Sequence, residues 1–314
     1  MNGSSAPLTL IAVTTVFLAA CGGSSGDSPA PIESNGSLTV QITDAPVDGV
    51  TAVTVEFDGL SVKPTNGDPI NIDFEAPVAI DLTTLTGETT ADLVIAEPLA
   101  AGSYDWLRLS VNADCDAIID SYVDTNAGGR VELALTDNAV LQVSDGFTVS
   151  ADQTTSLVVD WDLRRSLLAP GVNACYQLLP TLRVVDRSGF GVIQGTVANT
   201  LVEDASCTSD SNTLAGNVVY VYEGANVTPD DIDGNDPDPV TTANVVLDIN
   251  NSVYSYTAAF LPPGDYTVAF TCNGLDDRVL DPSQPSLTVE DNVAFSSPKN
   301  ATVTAGSITE MDMD

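Results

Sequence analysis

In Leu38-Thr39-Val40-Gln41-Ile42 an apolar side chain stands at every second residue, and the same period returns at Val53 to Phe57, Leu107 to Val111, Val131 to Leu135 and Leu157 to Leu163. A period of two places those side chains on one face of an extended chain, which is the pattern of a half-buried strand. Gly, Pro, Asn and Asp gather between the runs, as in "PTNGDP" (64–69) and "TNAGG" (125–129). No stretch of a dozen residues keeps a helical period, so the chain predicts an all-β fold with one short helical turn near Ser166 to Leu168. A second series follows "RSGFG" (187–191), with strands expected at Val192 to Val197, Val218 to Tyr222, Val245 to Ile249, Tyr254 to Phe260, Tyr266 to Thr271 and Leu287 to Val289. Two tandem β-sandwiches are therefore expected, residues 37–187 and 188–314, joined by a short connection from Arg187 to Gly191.

The N-terminal region has a different character. Leu8 to Ala20 is apolar apart from three threonines, and its 13 residues suit a secretory targeting segment but are too short to cross a hydrocarbon layer of about 30 Å. Leu18-Ala19-Ala20-Cys21 resembles the bacterial lipobox. That resemblance implies removal of residues 1–20, diacylglyceryl and acyl modification at Cys21, and a membrane-anchored lipoprotein held by several chains together. Residues 21–36, rich in Gly, Ser and Pro, then form a flexible tether. Gly22 after the cysteine points to the outer membrane. The first seven residues hold no Lys or Arg, a departure from the usual positively charged start of a signal peptide.

Charge and composition narrow the function classes. Of 314 residues, 44 are acidic and 9 basic, giving a formal net charge of −35. Nucleic acid and anionic lipid are poor partners for such a surface. Hydrophobic residues nevertheless make up 43% of the chain, which favours a folded acidic protein over a disordered one. Histidine is absent, which removes Ser-His-Asp and Cys-His nucleophilic catalysis and every His-ligated metal site. Besides Cys21 there are four cysteines, none in a C-x-x-C arrangement, and an exported chain uses such residues as disulfides. Pairing Cys115 with Cys175 and Cys207 with Cys272 keeps each bridge inside one proposed sandwich, whereas the other two pairings would staple the sandwiches together. Each such bridge closes a loop worth roughly 4 kcal/mol in the chain-entropy account.

Both halves contain one corner. "LAAGSYDWLRLSV" (99–111) and "LPPGDYTVAFTC" (261–272) each run from a turn through Gly-x-Tyr into an alternating strand. Glycine suits the tight turn, and Tyr104 and Tyr266 are expected to pack at the strand entrance. The corner resembles that of prealbumin-like and carboxypeptidase-regulatory-like sandwich modules, to which the second half is also similar in "GVIQGTV" (191–197), so the two tandem sandwiches are expected to be immunoglobulin-like or prealbumin-like. In the first half, "GSLTVQITDAPVDGVTAVTVEFDGLSV" (36–62), "YDWLRLSVNAD" (104–114) and "LVVDWDLRRSLLAPGVNACYQLLPTLRVV" (157–185) resemble the bacterial domain family DUF4382. The resemblance implies a secreted or lipidated cell-surface module with a β-sandwich fold and no established catalytic residues.

Two clusters could carry chemistry. Asp160 and Asp162 stand two apart on an expected strand, so their carboxylates share a face while Val159 and Trp161 face the core. Carboxylates about 7 Å apart lie near the separations used in glycoside hydrolysis. With Arg164 and Arg165 close by, the competing reading is an ion-paired polar face. Asp44, before Ala45-Pro46, reads as an Asx-type turn residue. In "TPDDIDGNDPDPV" (228–240), Asp231, Asp233, Asn235, Asp236 and Asp238 crowd around Gly234, offering the oxygen-rich loop that a Ca²⁺ ion takes; a solvated acidic loop is the competing reading. No other cofactor is implied. The sequence thus predicts a non-enzymatic outer-membrane lipoprotein, on the periplasmic or cell-surface side, that binds carbohydrate or protein in adhesion. A carbohydrate-processing enzyme built on Asp160 and Asp162 and a periplasmic structural or assembly factor are the alternatives.

Overall fold

The structure is a computed structural model that describes residues 34–45, 47–136, 139–170, 175–207, 214–277 and 293–314. The targeting segment, the Cys21 lipidation site and the strand expected at Leu287 to Val289 lie outside the described residues. Ser34–Asp314 forms one compact unit. Among the described residues no helix is long and apolar enough to cross a membrane.

The first half opens with three long strands, β1 (Asn35–Ala45), β2 (Val50–Pro64) and β3 (Ile70–Asp81). They are followed by β4 (Ala91–Ala100), β5 (Gly102–Asn112), β6 (Tyr122–Thr125), β7 (Arg130–Leu135), β8 (Gln142–Val143) and β9 (Phe147–Val149). Strand β10 (Thr154–Asp162) leads into the single helical turn α1 (Leu163–Ser166), and β11 (Leu167–Leu168), β12 (Tyr176–Leu178) and β13 (Leu182–Asp186) complete this half. One sheet has the order β13-β10-β1-β4 and the other β11-β12-β7-β6-β2-β5-β8, with β3 also paired to β2 and β9 to β5. Strands β1 and β10 run parallel in the middle of the smaller sheet. Their alternating Leu38, Val40, Ile42 and Leu157, Val159, Trp161 fill the space between the sheets, where the Trp161 ring meets Phe57 of β2 edge-on at 6.5 Å.

The second half contains β14 (Gly191–Val197), α2 (Asn199–Val202), β15 (Val218–Glu223), β16 (Thr241–Asn244) and β17 (Val246–Asp248). It ends with β18 (Val253–Leu261), β19 (Gly264–Thr271), β20 (Lys299–Val303) and β21 (Ile308–Glu310). Its two sheets, β17-β18-β14-β21 and β16-β15-β19-β20, enclose a core that includes Ile193, Val219, Tyr256, Val268 and Phe270. Gly195 of β14 lies where the last segment crosses: a Cβ there would stand 2.0 Å from the Met311 carbonyl oxygen, so only glycine fits.

Several elements depart from the sequence reading in detail. The helical turn begins at Leu163, three residues earlier than expected, because the Asp162 side chain caps it by accepting the Arg165 N–H at 3.1 Å. Strand β10 accordingly ends at Asp162 rather than Leu163. Residues Asn35 and Gly36, expected in the tether, already belong to β1. The long strands β3 and β4 gave no clear alternation, since most of their side chains are partly or fully exposed.

Both disulfides join the pairs that stay within one half: Cys115–Cys175, with Cα atoms 6.2 Å apart, and Cys207–Cys272, at 5.1 Å. The two Gly-x-Tyr corners are built alike. Tyr104 and Tyr266 are buried, and each hydroxyl donates to the carbonyl four residues earlier, Ala100 at 2.8 Å and Pro262 at 2.7 Å. Such a bond ties the turn to the strand it feeds. Tyr104→Phe and Tyr266→Phe should each lower stability by about 1 kcal/mol, and their effects should add, in equilibrium urea unfolding.

Candidate functional site

The candidate site starts from α1, a turn too short to hold itself. Two carboxylates fix its N-terminus: Asp162 accepts from Arg165 N–H, and Asp44 Oδ1 accepts from Leu163 N–H at 3.1 Å. Asp44 is therefore a buried residue near the end of β1 rather than an Asx turn, because β1 runs on to Ala45 alongside β10. Pinned in this way, α1 aims consecutive arginines at the second half of the molecule. Arg164 donates to Asp48 Oδ2 at 2.7 Å, to Asn244 Oδ1 at 2.9 Å and to the Gly274 carbonyl at 3.3 Å. Arg165 pairs with Asp238 at 3.3 Å.

A third arginine, Arg183 of β13, makes the same crossing. Its guanidinium holds Asp160 Oδ2 at 2.7 and 2.5 Å and donates to the Phe260 carbonyl at 2.8 Å. Beside it an apolar seam packs Val158, Val185 and Val192 against Ala259, Phe260 and Phe190. Asp160 and Asp162 do project from the face opposite Trp161, but that face is not solvated: they are only 4% and 5% exposed, beneath the second half. Asp160 takes a partner that the sequence did not suggest, while Asp162 stays with Arg165 through that residue's main chain. Asp160 pairs with Arg183, and Asp162 is the cap of α1.

Burial governs the electrostatics here. Desolvation pushes the Asp44 carboxyl well above the usual range, assisted by Asp160 and Asp162 and opposed by the Leu163 N–H and Arg164. Asp162 is pushed up to about 7, again chiefly by burial, with Arg165 opposing. For Arg164, burial is the largest influence and acts downward, yet Asp48 and other neighbouring groups outweigh it and hold the guanidinium charged. Among the described residues, Asp44 Oδ2, Asp162 Oδ2, Trp161 Nε1, Ser166 Oγ and Thr242 Oγ1 are buried without a hydrogen-bond partner in the chain.

A cleft of about 600 Å³ opens beside this junction. Thr43, Asp44, Glu88 and Asp160 line it from the first half, and Gln194, Thr242 and Asn244 from the second. Phe260, also at its wall, has a φ of 55°, a left-handed backbone that a bulky aromatic residue rarely adopts.

The acidic loop packs over the outer face of β15, where Ile232 meets Val218, Tyr220 and Tyr222, and joins the junction through Asp238. Several of its side chains bond back onto the loop. Asp238 Oδ1 accepts the Asp233 and Gly234 N–H groups at 3.3 Å, and Asp233 accepts from Asn235 at 2.8 Å (main chain) and 2.5 Å (side chain). Asp231 is buried. Among the described residues no three carboxylates of the loop, Asp236 included, come within 4.8 Å of one another. The group that does so is Cys115, Glu132 and Cys175, whose two sulfurs are already joined as a disulfide.

Asp48, Arg183, Thr242 and Asn244 were not singled out by the sequence reading. Arg183 carried a signal that could have found it: one of only nine basic residues, set inside the apolar strand "LRVVD". The other three are polar residues in turns or short strands, which local pattern cannot distinguish from solvated ones.

The first half, with α1 and its capping carboxylates, matches the family model described as "Domain of unknown function (DUF4382)" over residues 35–180. The chain carries a DUF4382 domain. The matched segment contains Asp44, Asp160, Asp162, Arg164 and Arg165, but stops short of β13 and its Arg183. No curated protein matches the chain. Among solved structures it is similar to the Bacillus anthracis TIE protein, at 11% identity and a TM-score of 0.20, over 88% of this chain and 34% of that one. It is also similar to a leucine-rich repeat protein from Bacteroides thetaiotaomicron, at 11% identity and a TM-score of 0.22, over 89% of this chain and 26% of that one. A third is the CBM26 module CBMbc from Eubacterium rectale Amy13K in complex with maltoheptaose, at 10% identity and a TM-score of 0.19, over 88% and 94%. The chain thus spans about a third and a quarter of the length of the first two. At these TM-scores the likenesses carry no functional argument for this chain.

Two outcomes test the junction. Arg164→Met should cost about 2–3 kcal/mol by leaving the half-buried Asp48 without its ion-pair partner, and adding Asp48→Asn should recover part of that loss in urea unfolding. Asp162 has a folded-state pKa of about 7, above its ordinary value of 3.8. The folded chain therefore binds the extra proton, and the stabilisation from it is complete below about pH 4 and lost as pH rises through about 7. The Tm advantage of Asp162→Asn over the unmodified chain should widen as pH is raised across that window.

Proposed function

We propose that this protein is a lipid-anchored envelope protein that binds a carbohydrate or protein partner without turning it over, using the two sandwiches as one rigid body. The observation that carries the reading is the fate of its best catalytic pair. Asp160 is clamped by Arg183 and Asp162 caps α1, so neither stands ready to exchange a proton with a substrate. Absence of histidine adds to this by removing the common nucleophile–base arrangements. Three arginines crossing one seam, with an apolar patch beside them, favour a stiff pair of modules over a hinged one. The lipobox at Cys21 and the tether after it support attachment to the outer membrane, with the paired sandwiches lifted from the lipid.

The carbohydrate-processing alternative draws on one observation: a cleft lies next to Asp160, and Asp162 titrates near neutrality. Asp162, however, does not line that cleft. Asp160→Asn separates the readings. It should lower Tm through loss of the Arg183 pair while leaving every binding activity measurable; abolished turnover on an oligosaccharide substrate would establish the enzyme instead.

Anchoring is tested by intact mass of the protein from its native membrane, before and after Cys21→Ala, with proteinase K applied to whole cells. A lipid-sized mass on a chain beginning at Cys21, absent in the variant, is the expected result, together with digestion from outside. An unlipidated soluble chain overturns the anchor, and lipidation with full protection from the protease moves the protein to the periplasmic side as a structural or assembly factor.

A further inference from the structure

The cleft beside the junction is a polar site with a consistent sign of charge. Asp44, Glu88 and Asp160 line it, and among the described residues no Lys or Arg does. Arg183, the neighbouring guanidinium, is already engaged by Asp160 and the Phe260 carbonyl. An anionic ligand would find no counter-charge there. Two residues that line the cleft from opposite halves, Asp44 and Thr242, are more than nine-tenths buried and each carries a buried oxygen, Oδ2 and Oγ1, without a hydrogen-bond partner among the described residues. Buried polar atoms in that state are rare in folded chains and are normally completed by something else. The volume of about 600 Å³ is that of a small organic ligand rather than a bare ion. A bulky residue, Phe260, is held in left-handed backbone at the same wall, the kind of strain that gathers at binding sites.

We propose that the cleft binds a small organic cation bearing a primary ammonium group, with Asp44 as its counter-charge and Thr242 accepting one of its N–H bonds. An ammonium offers donors only, which is what a carboxylate and a hydroxyl oxygen can both receive. The field of a chain with net charge −35 raises the local concentration of such a cation. Burial raises the Asp44 carboxyl in the empty site and so favours its protonated form, whereas an ammonium favours the ionised form, so the affinity rises with pH. Glu88 lines the same cleft and reinforces the attraction, Asp160 and Asp162 add to the raising of the Asp44 carboxyl, and Arg164 and the Leu163 N–H favour its ionised form. The assignment deepens the binding role proposed above and is independent of the lipid anchor.

The test is calorimetric titration of the purified full chain with diaminobutane near physiological salt, repeated with butanediol, which has the same length without charge. One saturable site for the diamine, tighter at about pH 8 than at about pH 5, and no binding of the diol are expected. Asp44→Asn should weaken the diamine about tenfold or more, as loss of a charge-assisted bond does. Thr242→Val, which keeps the side-chain shape, should weaken it several-fold and carries the test if Asp44→Asn does not fold. Nα-acetyl-lysine amide, titrated in parallel, distinguishes a lysine side chain from a free amine as the source of the ammonium; saturable binding of either supports the proposal. Equal binding of the diol, or a diamine isotherm unchanged by both substitutions, overturns it. That failure would leave the lipidation and protease results untouched, so it removes the ligand assignment without removing the binding reading.

Discussion

The ion pair between Arg164 and Asp48 is the contact from which the rest of the junction can be reasoned. Both charges lie in a poorly solvated seam, and such a pair is stable only if each partner keeps further bonds. Each does: Arg164 reaches Asn244 and the Gly274 carbonyl, and Asp48 accepts the Gly216 N–H at 3.1 Å. Arg164 can stand there because α1 is held by carboxylates on two different strands, so a four-residue turn acquires a direction that it could not keep alone. The chain tolerates the buried Asp44 and Asp162, both with raised carboxyl pKa, as a consequence of that arrangement.

The distribution of basic residues follows the same logic. With nine Lys and Arg against 44 acidic residues, a scattered arrangement would leave each cation in a weak surface pair worth little. Three of the nine instead sit at one seam, where a low dielectric makes each worth more and where an unpaired carboxylate would be costly. The negative excess is left to the solvated surface, where self-repulsion is screened by salt.

Much of the fold is legible in the sequence because its signal is local. Alternation in β1, β2, β5 and β10 follows from one face meeting a core and the other meeting water or a polar seam. The Tyr corners are legible for the same reason, since glycine, tyrosine and the receiving carbonyl lie within a few residues. Strand β15 reads as the continuous run "VVYVY" because the acidic loop and Phe295 cover its outer face, so its partner on that side cannot be inferred from the strand itself. The candidate site is illegible for a related reason. Asp44 bonds a residue 119 positions away, and Arg164 one that is 110 positions away, distances over which residue spacing carries no information. The face shared by Asp160 and Asp162 was visible; that a second sandwich would cover it was not.

Strand β1 has one further property. It enters the sheet at Asn35 and is hydrogen-bonded along its length to β10 on one side and β4 on the other. Tension applied to the chain ahead of Asn35 runs along β1, so it meets those bonds side-on and loads them together as a shear joint instead of peeling them apart singly. The bonds to β10 extend from Ser37 to Ala45, next to the turn that carries Arg164. A mechanical load entering at the N-terminal end is therefore passed to the same strand pair whose far end anchors the second sandwich.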